Sequence, residues 1–156
     1  MKTQEFRITT PGRYEYLLPF ETVNEEGDLL GIIEARTKGD YEIRVVADHL
    51  VPGTKGRVRV KGVVENGAKV RLIGLVRIAE GAKNTDSFLS LKLLMLDNKS
   101  YAFAEPELDI LNNEVKASHS ASVGRIDKDQ LFYLRSRGID ESESRKLIIN
   151  GFLSTA

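Results

Sequence analysis

The segment "RVRVKGVVENGAKVRLIGLVRI", residues 57–78, contains the pattern that decides the fold. Valine, isoleucine and leucine alternate with arginine, lysine and glycine on both sides of the dipeptide Asn66-Gly67. An alternation with a period of two, rich in β-branched residues, is typical of strands. Asn-Gly is a strong turn signal, because both residues tolerate positive φ angles. The segment therefore predicts a strand, a turn and a second strand.

The same pattern extends outward from this segment in both directions. Turn signals such as Pro52-Gly53 and Asp97-Asn98 recur at intervals of about 13 to 16 residues, longer than the roughly 8 to 12 of simple meanders. Gly67-Ala68-Lys69 is echoed by Gly81-Ala82-Lys83, a weak internal repeat. An antiparallel sandwich and a β-helix of stacked coils both fit this pattern, and periodicity does not choose between them. Further strands are predicted at 41–47, 88–96 and 107–111.

The pattern changes to a helical one near the C-terminus. Asp127 is placed as an N-cap with Gln130 three residues on, and Gly138 as the glycine after the helix end. Asp140, with Glu143, opens a second helix in the same way. Helices this short need tertiary partners, so we expect the tail to pack on the β body, a second copy or another protein. The predicted division is a β body over residues 1–122 and a helical tail over residues 123–156.

The composition of the 156 residues excludes several classes of protein. Lysine plus arginine and aspartate plus glutamate are balanced at 23 each, which disfavours a dedicated nucleic-acid or membrane-surface binder. No apolar run approaches the ~20 residues of a membrane-spanning helix, and the N-terminal residues do not resemble a signal peptide. There is no cysteine, which fits a reducing compartment. We therefore expect a cytoplasmic protein without nucleic-acid or membrane partners.

Few residues suggest chemistry, and no nucleotide-binding, hydrolase or zinc motif is present. Glu107 and Asp109 share one face of a predicted strand, but a cation site needs further oxygen ligands. His49 is expected to be a structural residue before a turn. His119 stands among serines and alanines in "VKASHSASVGRID", residues 115–127, which we interpret as a turn. A hydrogen-bonded turn histidine is the favoured interpretation, and any metal there needs ligands from another chain.

A basic strand face is the remaining candidate. Arg57, Arg59 and Lys61 project from one side of a predicted strand. A groove for single-stranded nucleic acid would interleave aromatic side chains with these cations, and none is present. We therefore interpret the three side chains as a solvated strand face.

The C-terminal two-thirds of the chain resembles the SufB/SufD family, the scaffold subunits of the SUF iron–sulfur cluster assembly system. The longest matching motif is "VKASHSASVGRIDKDQLFYLRSRGIDESESRKLIINGFL", residues 115–153, and its pattern is more similar to SufD than to SufB. Three further segments carry the resemblance: "ADHLVPGTKGRVRVKGVV" (47–64), "GAKVRLIGLVRIAEGAKNTDSFLSLKLLML" (67–96) and "EPELDIL" (105–111).

The resemblance implies a fold and a function. The β body is expected to be a right-handed parallel β-helix whose end pairs with a SufB-like chain or with a second copy, with His119 at the interface. The tail is expected to dock a SufC-type ABC ATPase, which makes the chain a non-catalytic scaffold or adaptor. The residues expected in this docking tail are Leu131, Phe132, Tyr133, Leu134, Arg135, Arg137, Ile148 and Phe152, with Ile149 beside them; part of the set is expected to pack on the body.

The chain departs from the family pattern in two respects. It lacks the N-terminal helical region and much of the β-helix of full-length members, and it has no cysteine. It is therefore expected to bind no cofactor alone, although His119 can complement a partner's ligands around a transient iron–sulfur cluster at a shared interface. Two alternatives stay open: a reduced paralogue that acts only as a self-associating β-helical module, and a polysaccharide lyase or hydrolase, which would need paired acids along a groove.

Overall fold

The computed structural model describes residues 1–154, which form nine strands followed by two helices. The alternation seen in the sequence is directly visible in the strands, since buried and exposed side chains alternate along most of them. The strands are β1 (Lys2–Ile8), β2 (Gly12–Phe20), β3 (Glu26–Ala35), β4 (Gly39–His49), β5 (Lys55–Val64), β6 (Ala68–Ile78), β7 (Asp86–Met95), β8 (Tyr101–Ile110) and β9 (Lys116–Arg125); the helices are α1 (Lys128–Ser136) and α2 (Glu141–Leu153).

The strands form two parallel sheets that consecutive strands enter in turn. One sheet, sheet A, has the order β1-β3-β5-β7-β9, and the other, sheet B, has the order β2-β4-β6-β8. Gly39 pairs with Ala68, and Asp86 with Lys116, so one coil takes about 30 residues. This is a parallel β-helix of stacked coils, and the sandwich alternative is excluded. The interval of about 13 to 16 residues between turn signals is therefore about half a coil. Each turn leads the chain from one sheet to the other.

The core lies between the two sheets and is built from columns of stacked side chains. Leu29, Val58 and Leu89 are register partners on β3, β5 and β7, and each is almost completely buried. Burial of such side chains contributes about 1.5 to 3 kcal/mol each. The turn at Asn66-Gly67 has positive φ angles at both residues, which explains why this dipeptide joins β5 to β6.

The first coil is closed by aromatic side chains. The rings of Phe6 and Tyr16 are stacked, with their centroids 3.8 Å apart. The Phe6 ring occupies the space above Gly31, its register partner on β3, where a Cβ atom would overlap the ring. The interior of the solenoid is therefore covered at this end by residues of the chain itself.

The helical tail begins immediately after the last strand. β9 ends at Arg125 and α1 begins at Lys128, so the link is Ile126 and Asp127. The Asp127 carboxylate caps α1 by accepting a hydrogen bond from the backbone N–H of Asp129, which confirms the predicted N-cap. β structure thus continues past residue 122, the predicted end of the body.

The end of α1 and the start of α2 also follow the predicted caps. Gly138 has a φ of 88°, and its N–H donates to the carbonyl of Arg135. The N–H of Ile139 donates to Leu134, which completes a Schellman motif. The Asp140 carboxylate accepts from the N–H of Glu143 and caps α2.

Helix α2 fixes the tail to the outer surface of sheet A. Ile149 is buried against Val63, Leu94 and Leu96, and Phe152 packs on the same cluster. Arg145 donates a hydrogen bond of 2.6 Å to the carbonyl of Leu96. Lys61 donates to the carbonyl of Ser154 and supplies the positive charge that the last turn of α2 lacks.

Candidate functional site

The last coil exposes two strand edges. β8 and β9 are the terminal strands of their sheets, so each has a neighbour on one side only. The free edge of a terminal strand offers unpaired N–H and C=O groups to another chain. β1 and β2 are terminal in the same way at the first coil, so what distinguishes the last coil is how its interior is covered.

Small and apolar side chains line the interior face of this coil. Register places Ala102 beyond the buried Val70, and Leu108 beyond the buried Val76. Leu108 and Val123 are each 40% exposed, because no further coil covers them. We call this surface the open end; its residues are Ala102, Ala104, Pro106, Leu108 and Ile110 of β8, with Ala117, His119, Ala121 and Val123 of β9.

His119 lies in the middle of the open end. It is the register partner of Leu89 and therefore continues the core column of Leu29 and Val58. Its side chain is exposed, with the small residues Ala117 and Ala121 on either side of it along the interior face. The sequence interpretation of residues 115–127 as a turn was wrong at this point, since His119 lies inside strand β9. Pairing with β7 imposes an extended conformation on these serines and alanines.

The predicted docking residues of α1 are largely exposed. Phe132 is 74% exposed and Tyr133 is 56% exposed, while Leu131 and Leu134 are half-buried. Such exposure of aromatic rings is unusual, because their transfer from water is strongly favourable. Arg137 extends over the Tyr133 ring and donates to its hydroxyl at 3.1 Å, whereas Arg135 lies exposed on the same helix.

An apolar groove runs between the two helices. Its volume is about 580 Å³, and its walls include Tyr133 and Leu134 from α1 and Leu147 and Ile148 from α2. Leu147, 51% exposed, is a groove residue that the predicted docking set missed. Its position at helical spacing in the sequence was the available signal.

Two members of the predicted set pack on the β body instead. Ile149 is buried, and Phe152 is half-buried beneath the Lys61 ammonium, 5.8 Å from its ring centroid. These contacts hold α2 in place and leave α1 and the groove exposed.

Comparison with known proteins identifies the family. A sequence model described as "SUF system FeS cluster assembly, SufBD core domain" matches residues 14–152. The chain belongs to the SufBD family. Its relatives include the iron-sulfur cluster assembly protein SufB of Bacillus subtilis, 36% identical over 105 residues, which are 67% of this chain and 23% of that protein.

Two further SufBD relatives extend the match. A SufBD family protein of Mycobacterium bovis is 36% identical over 135 residues, which are 81% of this chain and 34% of the relative. One of Staphylococcus aureus is 35% identical over 105 residues, 67% of this chain and 23% of the relative. The chain thus spans about a quarter to a third of the length of these SufBD proteins.

The ligands that this SufBD chain offers to a metal are few. Within residues 1–154, no group of three or more His, Asp and Glu side chains is arranged to hold an ion. Glu107 and Asp109 lie on the outer face of β8, where Asp109 is 4.0 Å from Arg77. Neither helix in the described part of the chain is long and apolar enough to cross a membrane.

The second histidine has a structural role, as expected from the sequence. His49 is fully buried and stacked on Phe20, with Nδ1 2.7 Å from the Thr54 hydroxyl and Nε2 3.0 Å from the Ser87 hydroxyl. Burial lowers the pKa of His49 from 6.5 to about 4, and the charge of Lys2 acts in the same direction. The imidazole is therefore neutral near pH 7 and satisfied by hydroxyl groups.

Proposed function

We propose that this chain is a non-catalytic SufD-like scaffold or adaptor in iron–sulfur cluster assembly. The observation that carries the proposal is the open end, an apolar coil terminus with two free strand edges and a histidine at its centre. Membership of the SufBD family supports an assembly role. The pattern of residues 115–153 supports the SufD-like assignment over a SufB-like one.

In the proposed complex, the open end pairs with a SufB-like chain or with a second copy. Pairing covers Leu108, Ile110 and Val123 and provides hydrogen-bond partners for an exposed strand edge. With a second copy, the same surface meets itself across a two-fold axis.

The iron–sulfur cluster is cargo in this proposal. His119 is the imidazole that the open end presents, and the chain contains no cysteine, so thiolate ligands have to come from the partner. Ala117 and Ala121 leave the space beside the ring free for a partner's side chains. His119 then completes a shared ligand set and does not form one alone.

The tail is the proposed docking site of a SufC-type ATPase. Tyr133 and Leu147 expose apolar surface in the groove, Phe132 and Arg135 are exposed on the same helix as Tyr133, and Arg137 contacts the Tyr133 ring. Aromatic and arginine side chains are frequent anchors of protein interfaces. The attachment of α2 to Leu94 and Leu96 gives this surface a rigid support.

The test is complex formation with the cognate SUF ATPase, measured by size-exclusion chromatography with light scattering. We expect the chain to form a complex that Phe132→Asp abolishes. The matched control is Val23→Asp, since Val23 is 56% exposed in the turn between β2 and β3, away from the tail. Absence of a complex with the unmodified chain would favour the alternative, a self-associating β-helical module without assembly activity.

A further inference from the structure

A cluster of like charges lies on the outer face of sheet A. Arg59 and Lys61 are two residues apart on β5, about 7 Å along the strand. Lys92 on β7 is the register partner of Lys61 and lies directly opposite it, on a neighbouring strand whose backbone is about 4.8 Å away. Like charges placed opposite each other destabilise a sheet. These three cations therefore raise the free energy of this part of the fold.

Most other cations on the outer faces have an acidic partner. Arg44 is paired with Glu15, Arg57 with Asp86, and Arg77 with Asp48. Within residues 1–154, Arg59, Lys61 and Lys92 form no ion pair; Lys61 donates instead to the backbone carbonyl of Ser154. Lys69 and Arg71 on β6 form no ion pair among the described residues either, but their register partners on β4 are Asp40 and Glu42, whereas Lys61 faces Lys92.

The nearby acids do not neutralise the cluster. Glu34 is engaged by Arg7 and Arg36, and Asp86 by Arg57. Asp28 lies diagonal to Arg59 on β3, and Glu5 is two strands away on β1. Burial and the charges of Lys92 and Arg59 lower the pKa of Lys61, which agrees with a shortage of negative charge around it.

Serine hydroxyls extend the cluster on its other side. Ser90 is the register partner of Arg59, and Ser120 is that of Ser90. Ser120 donates to Ser90 at 3.3 Å, and Ser122 lies opposite Lys92. The block therefore consists of two rows, Arg59-Ser90-Ser120 and Lys61-Lys92-Ser122, in which every side chain can donate a hydrogen bond.

We propose that this donor block binds an acidic, extended segment of a protein partner. Carboxylates at alternate positions of an extended chain are about 7 Å apart, which matches the spacing of Arg59 and Lys61. The block lies on a sheet face and not in a pocket of the kind that small ligands occupy. None of its six side chains is aromatic, but the Phe152 ring lies 5.8 Å from the Lys61 ammonium and Phe88 pairs with Arg57 next to the block, so single-stranded nucleic acid is the competing ligand that the test includes. The block shares strand β9 with the open end, but its cations lie on the outer face of β5 and β7, away from the interior face of the last coil and from the α1–α2 groove, so it is a further interaction site.

The test uses a fluorescein-labelled peptide of alternating glutamate and threonine, with a glutamine–threonine peptide as the neutral probe. Fluorescence anisotropy with the full chain is measured at about 20 mM and about 300 mM salt. We expect binding of the glutamate peptide alone, at least about tenfold weaker in the double variant Arg59→Gln, Lys92→Gln. The matched control is Lys69→Gln, Arg71→Gln, which removes the same charge from β6 of sheet B and should change affinity less than about twofold.

A charge-reversal variant keeps the proposal falsifiable. Arg59→Glu with Lys92→Glu should lose the glutamate peptide and bind a lysine–threonine peptide, with an unchanged β-type circular dichroism spectrum. Equal losses in the two glutamine double variants would overturn the proposal, because they would indicate a non-specific charge effect. Failure of the unmodified chain to bind would overturn it too, as would an oligothymidylate that binds the block as tightly as the peptide.

Discussion

The first and last coils of the β-helix have the same two-strand architecture, but they differ in how their interiors are covered. At the first coil, Phe6 and Tyr16 stack over the interior, and the Phe6 ring fills the space above Gly31. At the last coil, the columns that begin with Phe6 and Tyr16 end in Ala121 and Pro106, and Leu108 and Val123 remain 40% exposed. At the first coil, the chain's own aromatic side chains already shield the interior from water. At the open end, burial of the exposed apolar side chains by another surface would be stabilising.

The largest change in the free energy of unfolding is expected in a comparison of Leu89 with His119, which belong to one core column. Leu89→Ala should lower the free energy of unfolding by about 3 kcal/mol, because the side chain is fully buried and its loss leaves a cavity. His119→Ala, in the same column one coil further, should change it by less than about 0.5 kcal/mol. Urea unfolding of both variants is the measurement. A large loss for His119→Ala would show that this end is packed and not open.

The second prediction concerns the buried polar group near the closed end. The pKa of His49 is about 4 in the fold and 6.5 when the ring is exposed, so its neutral form is favoured by folding. The resulting stability is fully present above about pH 6.5 and is lost as the pH falls towards 4, a difference of about 3 kcal/mol. Urea unfolding between pH 7 and pH 4 should therefore show a steeper decline for the unmodified chain than for His49→Gln.

The comparison with His49→Gln is needed because acids contribute to the same decline. Hydrogen bonds to Lys2 and to Ser100 lower the pKa values of Glu25 and Asp97. Protonation of either carboxylate therefore also lowers the free energy of unfolding as the pH falls. Their contributions are common to both proteins and cancel in the difference. Parallel pH profiles would count against a neutral, buried His49.

The third prediction tests the aromatic closure itself. Phe6→Ala should cost about 2 kcal/mol of unfolding free energy, since it removes the stacked partner of Tyr16 and uncovers Gly31. Phe132→Ala is the control, because this ring is 74% exposed on α1 and should cost less than about 0.5 kcal/mol. Thermal unfolding compares the two, and similar losses would contradict the assignment of Phe6 as a closing residue.

The smallest effect on stability is expected at the open end. Val123→Lys should leave the unfolding free energy within about 0.5 kcal/mol, because the side chain is already exposed. It should nevertheless abolish pairing with a SufB-like chain or a second copy, measured by light scattering. The control is Leu17→Lys, on the outer face of β2 and 51% exposed, which should leave pairing intact.

Much of this architecture was predictable from the sequence, and particular residues show where prediction failed. β4 to β7 contain alternating β-branched residues, and Asp127, Gly138 and Asp140 cap the helices as their chemistry requires. The choice between a sandwich and a β-helix depends on pairing between residues about 30 positions apart, which local periodicity does not report.

The open end was the hardest part to predict. Strand β9 reads "KASHSASVGR", and serine, alanine and glycine have little strand propensity. Its conformation is imposed by pairing with β7, so its histidine seemed to belong to a turn. The exposure of Leu108 and Val123 is equally invisible in the sequence, because it depends on which coil is the last.

The two-residue link between β9 and α1 has a mechanical consequence. Two residues span at most about 7 Å, so Ile126 and Asp127 provide no slack between the strand that carries His119 and the helix that exposes Phe132. A tilt of α1 is therefore transmitted to β9 with little attenuation. A force applied to α1 is thus also a force on the free edge that β9 presents at the open end.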